Sequence, residues 1–301
     1  MHKEQNRFAV PIVMLGVLGA STSSLWVRFS DAPSLTLAFY RMAFAAILLC
    51  VPVLLKFRKE LFSIGKKTLF SCILSGVFVS FHFWLYFLSV HKTTLSAATL
   101  LANLEVFFVG FFMFFAFGEK LSRNNIFGIV LTLLGSAVLC VGDGLFGGSL
   151  IGDLFAFGAG LAVAVYTVIG RRVREGEAKL STTTYTFLVY LSAAVTLGIL
   201  CIFTKTPIIG YANTGMNMLM GLGLTVFCTI LGHSIFSWGL KYLKAALIST
   251  MKLAEPVFAT VCGILLFAEM PQFMTVLGGF IIILGVWLTT AAVPARDASH
   301  Q

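Results

Sequence analysis

Ten runs of about twenty mostly apolar residues follow one another along this chain of 301 residues, separated only by short polar stretches. A helix of that length crosses the ~30 Å hydrocarbon core of a bilayer. Lipid offers backbone N–H and C=O groups no partner, so a run of this kind must be helical. The runs cover approximately 8–27, 34–55, 68–90, 94–117, 124–142, 150–170, 182–204, 216–238, 245–267 and 272–292. The expected fold is therefore an all-α integral membrane protein of ten transmembrane helices, with connections too short for a soluble domain. Only 11% of residues are charged, where a soluble domain carries about a quarter.

The basic residues set the expected orientation. With the N-terminus inside, sixteen of the 21 lysines and arginines fall in inner segments and three (Arg28, Lys92, Lys205) in outer loops. That asymmetry places both termini, tails 1–7 and 293–301, in the cytoplasm. The same distribution accounts for the net charge of +9 without nucleic acid as a partner. The six cysteines lie inside apolar runs with no CxxC spacing, which supports neither a disulfide framework nor a zinc site. The polar start MHKEQNR leads straight into the first run with no small-residue cleavage site, so no removable signal peptide is expected.

The sequence also repeats itself at an offset of 150 residues. Glu105 falls on Glu255, Phe117 on Phe267, Glu119 on Glu269, Gly128 on Gly278 and Gly135 on Gly285. Each half, 8–142 and 150–292, holds five runs. An odd number makes the second copy enter the membrane from the opposite side, giving two inverted-topology five-helix repeats. Such halves can exchange conformations and open a central site to one face and then the other.

The ninth run carries Lys252, Glu255 and Pro256 near its middle. A charge at mid-bilayer costs roughly 3 kcal/mol or more and rarely faces lipid. Pro256 removes a backbone donor and frees the Lys252 carbonyl, so a helix kink is expected there, beside a cavity. Lys252 and Glu255 then present charge to a solute, or else form an ion pair within the helix that stabilises the bend. Glu105, the repeat-mate of Glu255, lies beside Asn103. A glutamate buried without a full partner exchanges protons near neutral pH, so Glu105 and Glu255 are the expected proton-coupling groups, with a structural carboxylate as the alternative. His82 and His233 are further proton carriers or hydrogen-bonded core residues. The offset sets Gly232, not His233, opposite His82.

Arg41 either holds a substrate carboxylate bidentately or plays a structural part, pairing with Glu269. Glu119 and Glu269 end helices, where the dipole disfavours anions, so each calls for a cationic partner from another span. Trp26, Trp84, Tyr86, Tyr166 and Trp238 can stack on a flat substrate or pack between helices. Gly152, Ala156, Gly160 and Ala164 form a small-xxx-small row that permits close helix approach.

Particular stretches resemble the EamA branch of the drug/metabolite transporter superfamily across nearly the whole chain. They are SSLWVRF (23–29), LAFYRMAF (37–44), GDLFAFGAGLAVAVYTVIGRR (152–172), LAEPVFA (253–259), FGEK (117–120) and FAEM (267–270). The resemblance implies a ten-helix transporter, often an exporter of amino acids or other small metabolites, with a cavity between the halves. Two departures stand out. NLEVF (103–107) lacks the usual proline, and Lys252 stands where an apolar or small residue is usual.

No phosphate loop, HExxH or GxSxG occurs, so no cofactor, metal site or catalytic residue is expected. Transport would be driven by an ion gradient, with the proton as candidate coupling ion, by exchange, or by the substrate gradient. The expected protein is a secondary active transporter of a small polar or zwitterionic metabolite in a bacterial plasma membrane, an exporter, monomer or homodimer. Uptake, antiport, and drug or cation efflux are alternatives within the class. An intramembrane enzyme acting on a lipid-linked substrate is the alternative outside it.

Overall fold

A computed structural model describes residues 2–93, 95–142, 149–175, 180–267 and 270–291. Among the described residues ten helices are long and apolar enough to cross a membrane. They are Phe8–Val27, Ser34–Lys56, Lys66–Val90, Ala97–Phe117, Arg123–Val141, Leu150–Arg174, Thr182–Phe203, Thr214–Gly239, Ala245–Cys262 and Phe273–Thr290, spans 1 to 10 below. The hydropathic runs located each of them. Span 6 extends further than its run because its last turn is basic yet buried: Arg171 and Arg174 are 0% and 3% exposed.

Spans 3 and 6, 2 and 7, and 1 and 8 pack as neighbours, and spans 5 and 10 form a separate tight pair. The small-residue row of span 6 does what its spacing implied. A Cβ at Gly160 would lie 2.8 Å from the Ala102 carbonyl oxygen of span 4, and one at Gly152 would lie 2.7 Å from Thr93 N. The helices therefore meet at backbone distance, where any larger side chain would push them apart.

Spans 5 and 10 meet in the same manner. A Cβ added at Gly128 would be 2.8 Å from the Gly285 oxygen, and one at Gly285 would be 2.8 Å from the Gly128 oxygen. Gly135 and Gly278 approach each other likewise, at 2.9 and 2.6 Å. Thr132 and Thr289 turn their hydroxyls back onto their own helices, donating to the Gly128 and Gly285 oxygens at 2.7 and 2.8 Å. Their polar atoms are thereby satisfied without widening the seam.

The connections fall at two ends of the bundle. One end is basic. There Arg171 donates through Nη1 to the carbonyl oxygens of Leu240 and Leu243, and through Nη2 to Glu119 Oε1 at 3.2 Å. It so joins the corner after span 4 to the corner after span 8. Glu119, at the unfavourable end of its helix dipole, has its cation in span 6. Glu60, on the short helix Arg58–Phe62, accepts from Ser181 N, Ser181 Oγ and Thr184 Oγ1, and thus caps span 7. At the other end Asn217 Oδ1 accepts from Ser30 Oγ and Asp31 N, each at 2.9 Å, and Thr93 donates to Asp153 at 2.6 Å.

Candidate functional site

Spans 4 and 9 are both interrupted near their middles. Span 4 is carried by two helices, Leu95–Asn103 and Glu105–Phe117, and span 9 by Ala245–Lys252 and Glu255–Phe267. At each break the ladder tightens to three-residue bonds: Leu104 N to Leu101 O, Leu253 N to Thr250 O, and Ala254 N to Met251 O. Pro256 sits in the first turn of the second half-helix, where a missing N–H leaves nothing unsatisfied. The expected kink at Pro256 is thus a break ahead of it. Span 4 breaks at the same relative place with no proline, so the proline alone does not make the interruption.

Each break sets a carboxylate at the start of a half-helix, Glu105 and Glu255. The partner of Lys252 is Glu105, in the other half of the chain. Lys252 Nζ donates to Glu105 Oε1 at 2.6 Å, with the side chains 15% and 7% exposed. This corrects the reading of Lys252 and Glu255 as an ion pair within one helix. One side chain leaves the end of a half-helix in span 9 and the other leaves the start of one in span 4. Glu255 has no hydrogen-bond partner among the described residues.

A cavity opens beside this bond with room for about one water. Tyr166 and Thr167 of span 6, His233, Phe236 and Ser237 of span 8, and Ser249 and Lys252 of span 9 line it. Tyr166 Oη and Ser237 Oγ share a hydrogen bond at 3.0 Å. The Phe236 ring faces Lys252 Nζ at 5.8 Å. On the far side of the break, the side-chain nitrogen of Asn103 is buried with no partner.

Arg41 lies close by, 3% exposed. Its Nε donates to Thr229 Oγ1 at 2.7 Å, and its guanidinium sits 4.3 Å over the Phe83 ring. The proposed partner Glu269 lies outside the described residues. Thr229 belongs to an unusual segment, since Leu224–His233 of span 8 is a π-helix. A π-helix holds an extra residue per stretch compared with an α-helix and is frequent at functional sites. It closes with Thr229 Oγ1 donating to Leu224 O, five residues back. It also brings His233 against Phe83, ring centroids 5.5 Å apart, next in sequence to His82. The one-residue mismatch between His82 and Gly232 at the repeat offset has here a physical counterpart.

The remaining sequence-selected residues divide in two. His82 and Tyr86 stay near the site, their rings stacked at 6.3 Å. His82 Nδ1 is bonded to the Ala159 oxygen at 3.0 Å, and Tyr86 Oη to Thr99 at 3.4 Å. The three tryptophans pack elsewhere. Trp26 donates to Thr22 and stacks on Phe227 at 5.4 Å, Trp84 leans on Phe81, and Trp238 on Tyr242. Ser237, Ser249, Thr229 and Phe83 were missed. The hydroxyls carried a signal, being polar atoms inside apolar runs, but nothing set Phe83 apart among 30 phenylalanines.

Ten membrane-spanning helices with a charged, partly open core are the build of a multi-pass membrane transporter, and the comparisons give the family. Residues 7–141 and 150–291 each match the EamA-like transporter family, and the chain belongs to it. An uncharacterized transporter of Archaeoglobus fulgidus is 27% identical over 273 residues, covering 88% of this chain and 90% of that one. The pseudopaline exporter CntI of Pseudomonas aeruginosa is 22% identical over 280 residues, covering 90% and 93%. A solved crystal structure superimposes with a TM-score of 0.76 at 21% identity, covering 94% of this chain and 96% of the other, which establishes the fold.

Proposed function

We propose that the protein is a secondary active transporter that exports a small polar or zwitterionic metabolite by alternating access, and that it is not an enzyme. The observation that carries this reading is the Lys252–Glu105 bond, which ties the two halves together at their two broken helices beside a cavity. Paired interruptions at mid-membrane are where transporters built from repeats hold their solutes. Residues 8–142 and 150–292 are read as inverted five-helix repeats, supported by the reciprocal approach of Gly128 to Gly285 and of Gly135 to Gly278. Both termini are read as cytoplasmic and the membrane as the inner, plasma membrane. The basic end, gathered around Arg171, is then the inner end. Glu255 is the proton-coupling group, because Glu105 is engaged by Lys252. Export is the direction supported by the relative named for it; antiport follows from the same geometry if a second solute replaces the proton.

The test needs no substrate. Ser249→Cys, placed in a version whose six native cysteines are replaced, would be treated with a membrane-impermeant thiol reagent from either face of sealed vesicles. Labelling from both faces is expected. Labelling confined to one face would sink alternating access.

A further inference from the structure

The corner between spans 2 and 3 holds five cations and one anion within residues 56–67. Lys56, Arg58, Lys59, Lys66 and Lys67 are all exposed. None of their side chains is ion-paired or hydrogen-bonded among the described residues. The one acid, Glu60, points away from them. Both its oxygens accept from Ser181 and Thr184 at the start of span 7, so no cation of the corner pairs with it.

Other basic residues at this end of the bundle are engaged. Arg171 holds two carbonyls and Glu119, Arg174 donates to Leu180 O and Thr182 Oγ1, and Lys244 donates to the Lys120 oxygen at 3.1 Å. Helix stability does not account for the five, since Lys66 and Lys67 open span 3, where the dipole disfavours cations. The apolar side chains beside them are just as open. Leu55, Phe62 and Phe70 are 79%, 73% and 64% exposed, and the Arg58 guanidinium lies 5.8 Å from the Phe62 ring centre. The short helix Arg58–Phe62 separates the end of span 2 at Lys56 from the start of span 3 at Lys66. The corner therefore sits where hydrocarbon gives way to headgroups. Fixing the orientation of the chain needs only the number of basic residues near the membrane. It does not need exposed aromatic and aliphatic side chains set among them.

We infer that the corner between spans 2 and 3 is a docking surface for anionic phospholipid. The five cations take the headgroup phosphates, as clusters of four to eight lysines and arginines flanking a membrane helix do. Arg58 can hold a phosphate with two parallel N–H bonds, while the lysines act as point charges. Leu55, Phe62 and Phe70 lie among the acyl chains of the same lipids, which a soluble phosphate cannot supply. The surface has a second side. Through Glu60 the same short helix grips the first turn of span 7, so lipid bound outside it steadies a contact between residues 8–142 and residues 150–292. Lipid charge is thereby linked to how firmly the two parts of the chain hold together at this end.

The experiment is thermal unfolding of the purified full chain in a neutral detergent, titrated with phosphatidylglycerol or with phosphatidylcholine of the same acyl chains. Bound lipid raises apparent stability by mass action. Phosphatidylglycerol is expected to stabilise the wild type at a concentration at least tenfold lower than phosphatidylcholine, and the difference should shrink as salt is raised. A variant with Lys56→Gln, Arg58→Gln, Lys59→Gln, Lys66→Gln and Lys67→Gln is expected to need at least tenfold more phosphatidylglycerol. A control that loses five other exposed cations, with Lys92→Gln, Lys120→Gln, Arg123→Gln, Lys205→Gln and Lys241→Gln, is expected to respond like the wild type. Lys66→Gln with Lys67→Gln alone should lose several-fold, and it keeps the test valid if the five-fold variant does not fold. Equal action by the two lipids, an equal loss in the control, or an unchanged response in the corner variants would each overturn the assignment. Full stabilisation by soluble glycerol phosphate would overturn it too, by showing a site for a free anion. None of these outcomes touches the transporter reading, which fails separately if Ser249→Cys labels from one face only.

Discussion

Breaking the Lys252–Glu105 bond should be costly, and breaking it from both sides at once should be much less so. At 2.6 Å and an effective dielectric constant of about 20, two unit charges attract by ~6 kcal/mol before desolvation is counted. Removing one partner of a buried pair costs about 3–5 kcal/mol, because the survivor is left charged and uncompensated. Lys252→Met and Glu105→Leu, each made alone, should therefore lower unfolding stability in detergent by that amount. Lys252 packs near the Phe236 ring, and methionine keeps most of that contact. The double variant removes both charges, and replacing a buried pair by apolar groups is often near neutral. It should be at least about 3 kcal/mol more stable than the sum of the single losses implies. The assay is a double-mutant cycle from equilibrium unfolding. Additive losses within about 0.5 kcal/mol would mean that the two side chains do not share a bond in the folded protein.

Arg171→Lys should cost about 2–4 kcal/mol in the same unfolding assay, because a lysine cannot reach two carbonyls and a carboxylate with one planar fork. Gly278→Ala should destabilise by about 1–3 kcal/mol through overpacking, since its Cβ would meet Leu139 N at 2.3 Å. Gly215→Ala, with open space around it and a helical backbone, should be neutral or stabilising by up to ~1 kcal/mol, and equal effects of the two would refute the packing argument. Glu60→Gln should lower stability by about 1 kcal/mol, because the Ser181 and Thr184 donors at the start of span 7 lose their charged acceptor; no change in melting would show that those donors find water instead.

Span positions were legible because a bilayer imposes one length on every helix, and ten repetitions of that length cannot be mistaken. The glutamates at offset 150 pointed to the core, yet the partner of Lys252 was not readable. Glu255, three residues away, satisfies every local rule of helix geometry, while Glu105 comes near only once two halves of the chain have packed. The break in span 4 has no local mark, since NLEVF holds neither proline nor glycine. Proline in span 9 therefore drew attention to the right place for an incomplete reason. The surroundings of Arg41 were not readable either, because Thr229 and Phe83 come from spans 8 and 3. The π-helix left only a one-residue mismatch between His82 and His233, visible as an irregularity in the repeat and interpretable only in three dimensions.

Chain order gives the glycine seam between spans 5 and 10 a place in time. Four spans are made between span 5 and span 10, so the Gly128 and Gly135 face must wait for its partner backbone while those four are synthesised and inserted. A transcript cut short before residue 273 yields nine helices that can enter the membrane, but leaves that face of span 5 without the backbone it was shaped to meet. Arrival of span 10 is thus the event that closes this seam, and until then the glycine face of span 5 stays open to other backbones.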